Sequence, residues 1–137
     1  MQVWKEWVPK EDIYDLMIAK STTIFNSQLI LAFEKQDAQK VKIHFKEGFL
    51  SLRESDEFCY DKSTEELNDY FKKIKLTKSA PWFLFTIENS NYVKSFQKET
   101  FGIYNFANIQ HFVIFSDDIN IEVLSLNKPQ IEISYGE

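Results

Sequence analysis

Three glycines and three prolines among 137 residues leave little material for a glycine-rich phosphate loop or a flexible linker. A single cysteine, Cys59, excludes an intrachain disulfide and suits a reducing compartment. The sequence contains no Gly-x-Gly-x-x-Gly, no Walker loop, no Gly-x-Ser-x-Gly and no His-Glu-x-x-His. No apolar run approaches the length of a membrane span. The first residues carry Lys5 and Glu6 where a signal peptide needs an apolar core. These absences lead us to expect a cytoplasmic, non-enzymatic chain without a cofactor or metal, bound neither to membrane nor to nucleic acid. The net charge of −5 points the same way for nucleic acid, and it favours a basic partner.

Apolar residues make up 44% of the chain, with 13 Phe, 6 Tyr and 3 Trp, enough for one sizeable core. The length suits a single domain, 1–137. Between Ile109 and Tyr135 three runs of β-branched and aromatic residues are separated by turn formers, which predicts a meander. Ile119, Ile121 and Val123 alternate with polar residues, as do Ile131, Ile133 and Tyr135. Phe112 to Phe115 is apolar on both faces and reads as the central strand. Upstream, Leu29, Leu31 and Phe33 share one strand face, and Val41, Ile43 and Phe45 share another.

Glu47-Gly48 reads as a tight turn that sets Phe45 opposite Leu50 and Ile43 opposite Leu52. Trp82 to Ile87 reads as a buried strand. Ser63 to Lys75 predicts a helix with a capping box at Ser63 and Glu66 and an apolar stripe of Leu67, Tyr70, Phe71 and Ile74. A second helix, capped by Asn89 or Ser90, runs through Tyr92, Val93 and Phe96 and closes near Gly102. Ile13 to Lys20 fits a short helix, or an edge strand through Leu16 to Ala19, with Ser21-Thr22-Thr23 and Asn26-Ser27 as turns. The fold class is α+β: a mainly antiparallel sheet of about six to seven strands with two helices packed on one side.

His111 lies near Asp117, Asp118 and Glu122 in sequence, but no second histidine accompanies it, so it reads as a strand residue satisfied by a backbone group or water. Cys59 has no nearby histidine to activate it. Lys40, Lys42, His44 and Lys46 form one strand face, which reads as a solvated face before a phosphate-binding stripe. The strongest charge feature is acidic. Glu54, Asp56, Glu57, Asp61, Glu65, Glu66 and Asp69 stand against one base, Lys62. A helix N-terminus accounts for Glu65, Glu66 and Asp69 but not for the other four, which suit a surface for a basic partner.

Four segments carry a resemblance. Asn-Ser-x-Tyr-x-x-x-Phe at Asn89 to Phe96, the His-aromatic pair His111-Phe112, and Ile-Glu-Val-Leu-Ser at Ile121 to Ser125 follow one another. Upstream, Leu52-Arg53-Glu54-Ser55-Asp56-Glu57 is similar to a Phe-Arg-x-x-Asp-Glu segment, with Leu52 in place of Phe. The pattern resembles small bacterial proteins of the immunity type, found beside toxin genes. The resemblance implies a non-enzymatic inhibitor that neutralises a cognate toxin domain, and many such toxins are basic nucleases. Two other classes stay open. One is a small-molecule-binding or enzymatic domain with an aromatic pocket built from Trp82, Tyr92 and Phe112. The other is a structural or oligomeric subunit.

Overall fold

The structure is a computed structural model that describes residues 2–7, 17–35, 39–56, 84–116 and 119–135. Among the described residues nine strands form two antiparallel sheets. The first has the order β1 (Val3–Glu6), β6 (Leu84–Glu88), β7 (Gln110–Phe115), β8 (Ile119–Ser125), β5 (Ser51–Asp56). The second has the order β2 (Met17–Phe25), β3 (Gln28–Lys35), β4 (Gln39–Phe45), β9 (Gln130–Tyr135). One helix, α1 (Asn91–Glu99), is present among the described residues. The antiparallel, mainly β architecture agrees with the sequence. Nine described strands in two sheets exceed the expected single sheet of about six to seven, and the expected helix at Ser63–Lys75 lies outside the described residues.

Alternation builds the core. Leu29, Leu31 and Phe33 of β3 and Val41, Ile43 and Phe45 of β4 are buried, while residues between them face outward. From the first sheet, Phe112, Ile114, Ile121 and Val123 complete this layer, and the Phe45 and Phe112 rings meet at 5.5 Å. β7 is the middle strand of its sheet and is buried on both faces, as its unbroken apolar run predicts.

Two turns move the chain between sheets and overturn the expected pairings. Gly48 (φ 104°) donates to the Phe45 carbonyl at 3.2 Å, a conformation suited to glycine. The chain then crosses over, and the Leu50 N–H donates to the Leu124 carbonyl at 2.7 Å. β5 therefore pairs with β8, setting Leu52 opposite Val123, and not with β4. Ser125 Oγ donates to the Gly48 carbonyl at 3.1 Å and fixes this corner. Likewise β9 leaves the expected meander and pairs with β4. A strand period of two reports a buried face but not which sheet owns it.

The N-terminal region differs more. Ser21, Thr22 and Thr23 lie inside β2, an edge strand, and are not a turn. Their exposure removes the apolar pattern that would have marked a strand. Residues 13–16 lie outside the described residues. Asn26 (φ 48°) and Ser27 (φ 63°) do form the expected turn, a two-residue hairpin joining Phe25 to Gln28.

Candidate functional site

The most connected polar cluster sits on the face of the first sheet that points away from the second. Its centre is His111, whose side chain is 1% exposed. Alternation sets His111 opposite in direction to its neighbour Phe112, which faces the core. Glu122 on β8 lies on the same face as His111, one diagonal step along the ladder, and its Oε1 is 2.9 Å from His111 Nε2. Arg53 on β5 is the direct register partner of Glu122 and grips it with two bonds: Nε to Oε2, and Nη2 to Oε1 at 3.0 Å.

Helix α1 closes the cluster from outside. Ser90 is its N-cap, and Ser90 Oγ accepts the Val93 N–H at 3.1 Å. The same Oγ is 2.6 Å from His111 Nδ1. Since a carboxylate only accepts, Nε2 carries the proton that reaches Glu122. Nδ1 shares its hydrogen bond with the Ser90 hydroxyl, so both ring nitrogens have a partner. Tyr92, on the first turn of α1, meets the His111 ring edge-on at 5.3 Å and lies 4.1 Å under the Arg53 guanidinium. Its hydroxyl bonds Ser51 on β5.

Two members of the cluster depart from their ordinary ionisation. Burial alone would push the Glu122 carboxyl up, but the hydrogen bonds from His111 and Arg53, together with charge attraction to both, outweigh it and hold Glu122 below the ordinary glutamate range. Burial pushes the Tyr92 phenol up, against the opposing bond to Ser51.

Ser90, His111 and Glu122 are the residue types of a nucleophile, base and orienting carboxylate. Ser90, however, is 4% exposed and its oxygen already holds the helix terminus. The arrangement acts as a clasp that ties α1 to three strands. The segments that carry the sequence resemblance meet here: Ser90 and Tyr92, His111, Glu122 and Arg53 come from all four. Sequence reasoning missed the cluster and assigned Glu122 to a wet strand face, yet its side chain is 15% exposed. The available signal was that each of these stretches carries one polar residue of matched chemistry.

The other expected residues are distributed as follows. Glu54 is exposed on edge strand β5, and its Oε1 accepts from Thr22 Oγ1 of the second sheet at 3.0 Å. Asp56 ends the same strand. Glu57, Asp61, Glu65, Glu66 and Asp69 lie outside the described residues, as do Cys59, Asp117 and Asp118. Lys40 and Lys42 stand opposite Glu34 and Glu132, and His44 bonds Gln28 at 2.8 Å, so acids interrupt the stripe. Tyr92 and Phe112 are on opposite faces of one sheet and so do not share a pocket, and Trp82, the third residue of the expected aromatic pocket, lies outside the described residues.

A groove of about 610 Å³ does open beside the clasp, between β6, α1 and the start of β7, with Glu6, Glu88, Lys94 and Lys128 on its walls. Among the described residues no group of three or more His, Cys, Asp or Glu side chains is placed to hold a metal, and no helix is long and apolar enough to cross a membrane. Comparison with protein-family models, curated proteins and solved structures gave no match.

Proposed function

We propose that this chain is a non-enzymatic protein inhibitor of the immunity or antitoxin type, which binds a basic toxin domain through an acidic surface. The observation that supports it most is the position of β5. This strand lies at the margin of the first sheet and leads directly into the acidic run, with Glu54 exposed. A rigid strand edge presents charge without a large ordering cost, and a local negative field speeds capture of a basic partner. On this reading the surface continues through Glu57 and Asp61 to Glu65, Glu66 and Asp69 on the helix expected at Ser63–Lys75. The clasp contributes rigidity and leaves no polar group poised for chemistry.

The test is binding to the toxin domain encoded beside this chain's gene, measured with the native chain and with Asp56→Lys, Glu57→Lys and Asp61→Lys combined. The reading expects tight, salt-sensitive binding that the triple reversal weakens at least about a hundredfold. Unchanged affinity would remove the acidic surface from the mechanism, and a neighbourhood without any toxin would remove the inhibitor class.

The groove beside the clasp favours one second reading, a small-molecule site for a ligand bearing both charges, since Glu6, Lys94 and Lys128 line it along with Glu88, which Lys5 pairs at 2.7 Å. A fragment screen by nuclear magnetic resonance would decide it. Shifts confined to Lys94, Gln97 and Lys128 support it, and a silent groove ends it.

A further inference from the structure

The turn after α1 contains the most exposed large apolar side chains described in the molecule: Phe101 at 94%, Ile103 at 77% and Phe106 at 103%. The turn that carries them is well defined. Phe101 N–H donates to the Lys98 carbonyl at 3.2 Å and Gly102 N–H to the Gln97 carbonyl at 3.0 Å, the paired bonds of a Schellman helix end. Asn105 donates back to Gly102 at 3.1 Å and Ala107 to Tyr104 at 3.1 Å. Gln97 Nε2 holds the Tyr104 carbonyl at 3.2 Å, and the Phe96 and Tyr104 rings meet at 5.3 Å.

Phe101 is doubly unfavourable for the isolated chain. It occupies the left-handed position of the helix end (φ 54°), where glycine is the usual residue, and the glycine comes one position later at Gly102. The strain is not offset by burial, since the ring stands in water. A strained backbone carrying an exposed aromatic ring is explained when something outside the chain covers the ring. Lys94 and Lys98 border the same shallow basin as Phe101, and neither forms an ion pair among the described residues.

We infer that residues 101–106, with Lys94 and Lys98, form a second docking surface, for a protein partner that offers an apolar pocket rimmed by carboxylates. The inference rests on the reading of the chain as a protein binder and adds a surface of opposite sign to the acidic run. The local lysines select an acidic rim. The net charge of −5 sets the chain as a whole against an anionic bilayer, whereas a protein pocket requires only local complementarity.

Photo-cross-linking in the native host tests this. p-Benzoylphenylalanine replaces Phe101, Phe106, Glu54 or, as a control, Lys42 on the outer face of the second sheet, and adducts are mapped by mass spectrometry. All four positions are exposed, so folding is retained and checked by circular dichroism. The expected result is one protein adducted from both 101 and 106, through an apolar segment flanked by Asp or Glu. Lys94→Glu with Lys98→Glu should cut that yield by about tenfold. A protein adduct without such a segment counts against the inference, as do adducts to phospholipid, to a second copy of the chain, or none at 101 and 106. Adducts from position 54 alone sink the loop and leave the protein-binding reading intact; silence at all three positions removes both.

Discussion

Glu122 lies one diagonal step across the β7–β8 ladder from His111, and its Oε1 receives the imidazole Nε2 at 2.9 Å. The pair is more enclosed than its surroundings in sequence suggest, because Arg53 covers Glu122 from β5 and Ser90 covers His111 from the helix. Removing the carboxylate leaves the imidazole N–H without its acceptor inside the fold. Glu122→Ala should therefore cost about 2–3 kcal/mol, below the range of about 3–5 kcal/mol for a broken, fully buried pair because Arg53 is half-exposed. Glu122→Gln should cost less, since the amide oxygen still accepts from Nε2. Urea denaturation measures both, and native-like stability of the alanine variant would sink the clasp.

Acid should act on the same residue. The Glu122 carboxyl is held below its ordinary value in the folded chain, so the folded state binds its proton less readily than the unfolded chain does. Its contribution is therefore complete above the unfolded value of about 4.3 and is lost as pH falls through the folded value. Native protein should lose stability more steeply below about pH 4 than Glu122→Gln, which has no proton to gain there. Parallel acid limbs in urea midpoints taken against pH would refute this.

Ser90 joins two jobs in one oxygen, accepting from Val93 N–H and sharing a hydrogen bond with His111 Nδ1. An ordinary N-cap removal costs about 1 kcal/mol. Ser90→Ala also leaves Nδ1 without its partner, so we expect about 2 kcal/mol in total. Amide exchange provides the specific readout: Val93 should lose protection more than Lys98, at the far end of α1. Equal loss along the helix would mean that global unfolding, and not the cap, controls it.

How far the sequence discloses this molecule depends on the range of each signal. Period-two alternation identified Leu29 to Phe33, Val41 to Phe45 and the central character of Phe112 to Phe115, because burial of a strand face is a local pattern. It misassigned β5 and β9, because the partner of a strand is chosen by a corner such as Gly48–Leu50 and not by the strand itself. Ser90 was readable as a cap from its neighbours alone. Its bond to His111 was not, since the residues are brought together only when β6 and β7 pair and α1 folds back over them. Phe101 was hidden for a different reason: exposure of an aromatic residue leaves no mark in a sequence where aromatic residues are abundant.

That exposure leads to a prediction in which stability and binding move in opposite directions. Phe101 occupies the left-handed residue of the helix end at φ 54°, with Gly102 just beyond it. Relief of the side-chain clash at that position favours glycine by about 1 kcal/mol, partly offset by the greater freedom of glycine in the unfolded chain. Phe101→Gly should therefore raise stability by about 0.5 kcal/mol while abolishing the cross-link from Phe106. Phe101→Ala keeps the backbone strain and removes the ring, so its stability should stay within about 0.5 kcal/mol of native while docking is lost. Urea denaturation beside the cross-linking assay separates the two effects. If the glycine variant were clearly less stable than native, the ring would be supporting the fold itself, and its exposure would no longer point to a partner.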